Sequence, residues 1–165
     1  MNKLSDTQIN YFMKEALKEA YYAKLIDEVP IGAVIVYDNK IIGRGHNLRE
    51  HSQDATAHAE MLAINEACAF LNSWRLWDCQ LFVTIEPCLM CSGAIINSQI
   101  SNVYFGARNA KFGATRSLYQ TLEDSRLNHQ VQVQEGILAD ETSNIMKSFF
   151  KASRLKKKRN KKKNK

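Results

Sequence analysis

The segment Thr84-Ile85-Glu86-Pro87-Cys88-Leu89-Met90-Cys91 lies near the middle of a 165-residue chain and marks a change from strand to helix. A mostly apolar run from Cys79 precedes it and predicts a strand, and Pro87 favours the first turn of a helix. Residues three apart share a helix face, so Cys88 and Cys91 can direct both sulfurs to one point. The positive end of the helix dipole lies there too and favours thiolates that can bind a metal.

The segment His58-Ala59-Glu60 lies upstream and contains a third candidate ligand, His58, and a candidate acid–base group, Glu60. A histidine nitrogen together with two thiolates is a ligand set that suits zinc. Residues two apart on a regular helix point in different directions, so His58 is expected at the irregular start of its helix. A carboxylate beside a metal-activated water can accept a proton and deliver it to a leaving group, which is the predicted role of Glu60.

The remaining cysteines are poorly placed to supply a fourth ligand. Cys68 lies about 15 Å along the helix that begins near His58, at the rise of an α-helix. Cys79 lies about 20 Å or more from Cys88 along an extended strand. A metal with three protein ligands and one open position is the catalytic kind, in which the metal activates water.

Taken alone, each half of this pattern has other readings. A Cys-x-x-Cys is also found in redox pairs and in structural zinc half-sites. The combination of His-x-Glu with a downstream Pro-Cys-x-x-Cys matches the signature of zinc nucleobase deaminases. The pattern therefore favours a hydrolase that acts on a base.

Length and composition predict one globular domain without a membrane span. The chain is 45% apolar, which is within the globular range. The longest apolar run, at 31–37, is far shorter than the about 18 residues that span a bilayer. The N-terminus lacks an apolar signal core, and no cysteine framework suggests an oxidising compartment, so the cytoplasm is expected.

The positive charge is concentrated at the C-terminus. The formal net charge is +6, yet residues 151–165 carry ten Lys or Arg and no acid, which leaves the body at −4. We expect a zinc-dependent deaminase domain at 1–155 and a basic, disordered tail at 156–165. Such a tail can serve as an arm for a polyanion such as nucleic acid, or only as a solubility segment.

Helices and strands alternate along the chain, which predicts a three-layer α/β/α domain. A capping box at Ser5-Asp6-Thr7-Gln8 opens the first helix, and Asp54 or Thr56 is expected to cap the second. The predicted elements are a helix to about 27, strands at 31–37 and 40–46, a helix to about 71, a strand at 79–85, a helix at 88–97, strands at 103–105 and 131–134 with a short helix at 117–122 between them, and a last helix from about 140.

Two further segments could contact a substrate. Asn47 follows the second strand and can offer a donor and an acceptor to a base edge, although a turn asparagine is the ordinary alternative, which the sequence alone slightly favours. The loop 106–113 is basic, flanked by glycines and contains Phe112, which suits contact with nucleic acid.

Four motifs together resemble bacterial tRNA-specific adenosine deaminases of the TadA type. They are His58-Ala59-Glu60, Glu86-Pro87-Cys88-Leu89-Met90-Cys91, Gly106-Ala107-Arg108 and Glu135-Gly136-Ile137-Leu138, and the resemblance runs from about residue 9 to 154. It implies a cytidine-deaminase-like fold with a five-stranded mixed sheet. It also implies hydrolysis of the wobble adenosine, position 34 of an arginine tRNA, to inosine by a homodimer whose partner helps to wall each pocket.

The resemblance also assigns residues. It implies one Zn²⁺ per chain on His58, Cys88 and Cys91, Glu60 as the proton shuttle, and no organic cofactor. The tRNA anticodon stem-loop is the expected partner, and the expected substrate-binding residues are Asn47, Arg108, Asn109, Lys111, Phe149, Phe150 and Arg154. Two positions depart from the family pattern: Ala55 stands where proline is frequent, and Asn109 where many members have an acid.

Two other functions fit part of the pattern. One is a deaminase of a free base or nucleotide, such as guanine, cytosine or deoxycytidylate. The basic tail and the loop 106–113 argue against it, and cytidine deaminases usually carry cysteine in place of His58. The other is a zinc module that binds RNA without catalysis, which the open metal position and Glu60 disfavour.

Overall fold

The computed structural model describes residues 4–163 and alternates helices with strands as the sequence predicts. A single 3₁₀ turn, Thr121–Glu123, lies among the described residues. In chain order the other elements are α1 Asp6–Leu25, β1 Gly32–Tyr37, β2 Lys40–His46, α2 Arg49–Ser52, α3 Ala59–Leu71, β3 Gln80–Ile85, α4 Leu89–Asn97, β4 Asn102–Ala107, β5 Gln132–Gln134 and α5 Ala139–Lys163.

The strands form one mixed sheet in the order β2-β1-β3-β4-β5. β1 pairs antiparallel with β2 and β3, whereas β3–β4 and β4–β5 are parallel. The prediction of a five-stranded mixed sheet is confirmed. Because β3 and β4 are parallel, the segments that follow them leave the sheet at the same edge, where the backbone N–H of Glu86 donates to the carbonyl of Ala107 at 2.9 Å.

Helices cover both faces of the sheet, which confirms the three-layer prediction. α3 and α4 pack on one face, and α1 and α5 pack on the other. The alternation of side chains along each strand produces this division, since neighbouring residues point to opposite faces. On the α3/α4 side the core includes Ala33, Ile35, Ala63, Leu81, Val83, Ile95 and Phe105, and on the α1 side it includes Phe12, Met13, Val34, Val36, Phe82 and Tyr104.

Two glycines in β2 bring α3 unusually close to the sheet. A Cβ on Gly45 would lie 2.2 Å from the carbonyl oxygen of Ala59, and one on Gly43 would lie 2.3 Å from that of Ala63. No side chain fits into either gap. The close approach sets the position of the first turn of α3, which carries Glu60 and follows His58.

Most element boundaries agree with the sequence prediction, and the exceptions have local causes. The capping box at the start of α1 is confirmed, since Ser5 and Gln8 bond reciprocally. The prediction that Asp54 or Thr56 caps α3 is wrong: Asp54 instead accepts hydrogen bonds from the backbone and hydroxyl of Thr56, both at 2.7 Å. His58 is the N-cap residue of α3, which confirms its place at the irregular helix start.

Other differences occur in irregular segments. The predicted helix at 117–122 is wrong, because only the 3₁₀ turn Thr121–Glu123 forms there. The short helix α2 is not predicted by its sequence. Its four residues are too few to show a helical period, and none is buried.

α5 stays helical well past position 156, where the sequence predicts the start of a disordered tail. Lysine and arginine are good helix formers, and Nζ of Lys156 pairs with the carboxylate of Asp27 at 2.9 Å. Residues 164 and 165 of the predicted tail lie outside the described residues. Within the described part of the chain, no helix has the length and apolar character needed to cross a bilayer.

Candidate active site

Two helix starts converge on one point at the edge of the sheet. His58 is the N-cap residue of α3 and Cys88 is the N-cap residue of α4. Both residues have extended backbone conformations, and neither side chain caps its own helix. The side chains are therefore free to point away from their helices, towards each other. The positive ends of two helix dipoles meet there, which favours negatively charged sulfur.

The three predicted ligands form one compact group. Nδ1 of His58 lies 3.7 Å from Sγ of Cys88 and 3.6 Å from Sγ of Cys91. A tetrahedral ion with bonds of about 2.3 Å to sulfur and about 2.0 Å to nitrogen places these atoms about 3.5 Å apart. The observed separations fit that geometry. Among the described residues, this is the one group of three or more His, Cys, Asp or Glu side chains close enough to hold a metal ion.

A hydrogen bond links the two thiols and moves their pKa values in opposite directions. The pKa of Cys88 is lowered to about 4, chiefly by a hydrogen bond from the Cys91 thiol, with a further contribution from His58. The same contact with Cys88 and burial raise the pKa of Cys91. A cation that replaces the proton of this hydrogen bond relieves the repulsion between two thiolates, so the donor chemistry and the spacing both fit a metal.

Glu60 lies in the first turn of α3, two residues after His58. Its side chain is buried, and burial raises the pKa of its carboxyl to about 7. A carboxyl with a pKa near neutrality can both accept and release a proton at physiological pH.

The other cysteines stay away from this group, as their spacing predicts. Cys79 is fully buried in the core on the α3/α4 face. The thiol of Cys68 points towards the backbone carbonyl of Trp74 at 3.9 Å. Neither belongs to the candidate metal-binding group, which consists of His58, Cys88 and Cys91.

A buried glutamate of the Glu86-Pro87-Cys88 segment organises the loop after β4. One oxygen of Glu86 accepts the backbone N–H groups of Thr115, Arg116 and Ser117, at 3.1, 2.6 and 2.8 Å. The other oxygen accepts the backbone N–H of Asn109 at 2.9 Å and the hydroxyl of Ser117. Burial alone would raise the pKa of Glu86, but these hydrogen bonds outweigh it and lower the pKa below its usual value.

The same loop is joined to the metal-binding segment through its backbone. Gly113 forms an isolated bridge with Cys88, and the N–H of Ala114 donates to the carbonyl of Pro87 at 2.8 Å. A Cβ on Gly113 would lie 2.3 Å from the carboxylate of Glu86, so only glycine permits this approach. Glu86 and these contacts together hold the loop 109–117 against the start of α4.

Asn47 lies next to a backbone contact with the segment that leads to His58. It is buried at the end of β2, and the N–H of the next residue, Leu48, donates to the carbonyl of Ala57 at 3.0 Å. Its side-chain Nδ2 donates to Oε2 of Glu28 at 3.1 Å.

The basic loop residues are partly engaged within the protein. Arg108 forms a forked pair with Glu135, at 2.7 and 2.8 Å. The side chain of Asn109 accepts the backbone N–H groups of Lys111 and Phe112, both at 3.2 Å, and so stabilises its own turn. The side chain of Lys111 is exposed.

The predicted residues of α5 form an exposed patch. Phe149 and Phe150 pack edge to face with ring centres 5.4 Å apart, and Phe150 is 42% exposed. Arg154 is exposed one turn further along. No described contact joins these side chains to the metal-binding group.

Sequence reasoning misses two glutamates that shape the site. Glu86 is part of the quoted motif, so its position near Cys88 was visible, but its hydrogen bonds to a loop more than twenty residues away were not. Glu28 lies in a turn with no motif, and nothing in the sequence signals its contact with Asn47.

Comparison with known proteins places this arrangement among deaminases. The family model of MafB19-like deaminases matches residues 7–154. A tRNA-specific adenosine deaminase of Streptococcus pyogenes serotype M18 is 60% identical over 148 residues, which cover 90% of this chain and 93% of that protein. The protein of the same name from Bacillus subtilis strain 168 is 49% identical over 152 residues, with 92% and 94% covered.

Solved structures show the same relationship. One from a study of A-to-I editing by tRNA:A34 deaminases at the wobble position is 41% identical, with a TM-score of 0.79, and covers 82% of this chain and 98% of that one. A guanine deaminase from Bacillus subtilis is 39% identical, with a TM-score of 0.58, over 62% of this chain and 69% of that one.

Proposed function

This chain belongs to the family of tRNA-specific adenosine deaminases, and on that premise we propose that it hydrolyses adenosine to inosine at the wobble position, 34, of a tRNA. The observation that carries the proposal is the group of His58, Cys88 and Cys91 with the buried Glu60 beside it. The specific substrate within this proposal is an arginine tRNA, as the family resemblance implies.

His58, Cys88 and Cys91 are the proposed ligands of one Zn²⁺ per chain. Their separations of 3.6 and 3.7 Å support this, because they match a tetrahedral ion with two sulfur ligands and one nitrogen ligand. When bound, zinc supplies Lewis-acid activation of a water molecule.

Glu60 is the proposed proton carrier. Its carboxylate accepts a proton from the attacking water as oxygen bonds to C6 of the adenine, and passes a proton to the ring nitrogen. The hydroxyl now on C6 gives up its proton, which Glu60 passes to the amino group; the C6–N6 bond breaks and ammonia leaves, so that adenosine and water give inosine and ammonia. Burial favours the protonated form of this carboxyl and raises its pKa, which suits a group that takes up a proton and gives it back.

The proposed RNA contacts lie on two surfaces around the site. The exposed Lys111 and the half-exposed Phe150 support them, since a cation and an aromatic ring can bind phosphate and base respectively. Bases of an anticodon loop are already largely unstacked, so extrusion of the target base is inexpensive. The full proposed set is Asn47, Arg108, Asn109, Lys111, Phe149, Phe150 and Arg154, within a catalytic domain at 1–155.

A homodimer in the cytoplasm completes the proposal. Leu89 follows Cys88, and Leu118 and Tyr119 follow the loop 109–117; these three large apolar side chains are 55%, 54% and 57% exposed. Apolar side chains grouped at a surface are typical of a contact with another protein. A second copy that covers them would also wall the pocket.

One assay separates this function from deamination of a free base, which the similarity to a guanine deaminase makes the relevant alternative. The purified protein is offered adenosine, cytidine, guanine, deoxycytidylate and an anticodon stem-loop RNA with adenosine at position 34. The products are identified as nucleosides by mass spectrometry. Inosine from the stem-loop alone is expected, and the Glu60→Ala variant and a stem-loop with guanosine at position 34 are the negative controls. Turnover of a free base without turnover of the RNA would refute the proposal.

A further inference from the structure

Glu28 is a fully buried carboxylate beside the site that the proposed chemistry leaves unused. It follows Asp27, a residue of the turn after α1 that has the left-handed conformation, with φ of 62°. The side chain of Glu28 is 0% exposed. A carboxylate is costly to bury unless hydrogen bonds compensate for the lost water, so its partners indicate what it does.

The carboxylate ties two other segments together. Oε2 of Glu28 accepts from Nδ2 of Asn47 at 3.1 Å. Oε1 accepts from the backbone N–H of His51 at 2.7 Å, and the ring Nδ1 of His51 lies 3.6 Å from it. The turn after α1, the end of β2 and the short helix α2 therefore meet at one side chain.

The contact with Glu28 determines which way the amide of Asn47 faces. A carboxylate can only accept hydrogen bonds, so the nitrogen of the amide must face it and the oxygen must face away. Among the described residues, Oδ1 of Asn47 takes part in no hydrogen bond. Asn47 is held in place by its backbone, whose N–H donates to the carbonyl of Ile31 at 3.1 Å, one residue before the Leu48–Ala57 bond that leads to His58.

We propose that Glu28 is a positioning residue that sets base selectivity by locking the amide of Asn47 in one orientation. The inference rests on the proposed function, in which Asn47 reads the target base. A locked amide presents its acceptor and its remaining donor in fixed places. Adenine offers a donor at N6 and an acceptor at N7, whereas guanine offers acceptors at both O6 and N7. An amide that rotates by 180° would exchange its donor and acceptor and would no longer distinguish adenine from guanine.

The first test is the amide itself. In ¹⁵N-labelled protein, the side-chain amide signal of Asn47 is assigned as the one missing from the Asn47→Ala variant. Glu28→Gln keeps the size of the side chain but can turn a donor towards Nδ2, so the Asn47 signal should shift and exchange faster with water. An unchanged signal would overturn the proposal whether or not the RNA is a substrate.

The second test is a double-mutant cycle on kcat/KM for the stem-loop RNA with adenosine at position 34. Glu28→Gln should lower kcat/KM by about 10- to 100-fold. In the Asn47→Ala background the same change should have less than about a threefold effect, because the amide that it orients is gone. The affinity ratio between stem-loops with adenosine and guanosine at position 34 should also narrow in Glu28→Gln.

Controls separate positioning from general damage. Glu15→Gln removes another buried carboxylate, which pairs with Lys18 and Arg44, and should change neither selectivity nor the Asn47 signal. Zinc content should stay the same in all variants. Equal losses from Glu28→Gln with and without Asn47, or loss of zinc, would show that Glu28 only supports the fold.

A reversed pair keeps the proposal testable if Glu28→Gln folds poorly. Asn47→Asp places two carboxylates together and should lower the melting temperature, and adding Glu28→Gln should restore most of that loss by reversing the hydrogen bond. A failure to restore it would contradict the direct contact. If the wild-type protein does not deaminate the stem-loop, the proposed function fails, and the amide signal still decides whether Glu28 orients Asn47.

Discussion

Replacing Glu86 by glutamine should loosen the loop 109–117 without unfolding the domain. The carboxylate accepts hydrogen bonds on both oxygens, whereas an amide keeps only one acceptor. If the remaining oxygen stays with Thr115, Arg116 and Ser117, the N–H of Asn109 loses its acceptor and faces an NH₂ group. Hydrogen bonds to a charged group contribute about 1.5–3 kcal/mol each, and neutral ones about 0.5–1.5 kcal/mol. One lost bond, at about 1.5–3 kcal/mol, and three weakened ones, at about 1–1.5 kcal/mol each, amount to about 4.5–7.5 kcal/mol.

Hydrogen exchange measures this effect directly. A cost of about 4.5–7.5 kcal/mol should raise the exchange rates of the four backbone amides that Glu86 binds by about 10³- to 10⁵-fold, at tenfold per 1.4 kcal/mol. The loop can open locally while the rest of the domain stays folded, so the global free energy of unfolding falls by less than this sum. Amides of β1 and β3 should therefore keep their protection. Glu123→Gln is the matched control, since this exposed carboxylate pairs with Arg116 at the surface. Unchanged exchange at 109–117, or an equal rise throughout the sheet, would refute the reasoning.

The loop should also respond to acid through Glu86. Its pKa in the folded protein lies below the ordinary value of 4.5, because hydrogen bonds to the carboxylate outweigh its burial. A depressed pKa stabilises the folded state above the ordinary value, and the stabilisation is lost as pH falls through the lower folded value. After correction for the intrinsic exchange rate, the protection of the loop amides should therefore be constant near neutral pH and should fall in acid. Glu86→Gln should show no such loss of exchange protection in acid.

Four further predictions concern the metal, the proton carrier, the dimer and the tail. Cys68→Ser and Cys79→Ala should each retain about one zinc per chain by elemental analysis, and a loss of zinc in either would mean a closed ligand shell. Glu60→Ala should keep its zinc and bind the stem-loop RNA but lose at least about 10²- to 10⁴-fold in turnover; an active variant would refute its role. Light scattering at micromolar concentration should report about 38 kDa, twice the chain mass of 18.8 kDa, and a fully active monomer would exclude a shared pocket. Truncation after Leu155 should reduce the salt slope of tRNA binding by about 1.8 if two phosphate contacts are lost, with turnover at saturating RNA unchanged; equal slopes would leave the tail a solubility segment.

The two cysteines of the candidate metal-binding group were predictable because their spacing is local, and His58 was predictable because the combined motif matches the signature of zinc deaminases. Cys88 and Cys91 owe their proximity to helical spacing, and His58 lies at a recognisable helix start. The layers of the fold were predictable for a related reason, since apolar runs such as that of β1 report burial on both faces.

The contacts around the metal-binding group could not be predicted, because they join segments that no sequence period connects. Glu28 and Asn47 meet only when the turn after α1 and the end of β2 are folded together. The loop 109–117 has no periodic pattern, and its shape follows from donors that converge on Glu86. Ion pairs between residues far apart in the chain, such as Lys156–Asp27, cannot be predicted from the sequence either.

The glycines of β2 constrain how the protein can vary over evolution or in a laboratory library. Neither Gly43 nor Gly45 carries any chemistry, yet a methyl group on Gly45 would force the backbone between His58 and Glu60 to retreat. A displacement of about 1 Å at reacting groups can lower a rate by about 10²-fold. Variation at Gly45 would then change turnover through the position of α3, and selection for activity would keep this position invariant.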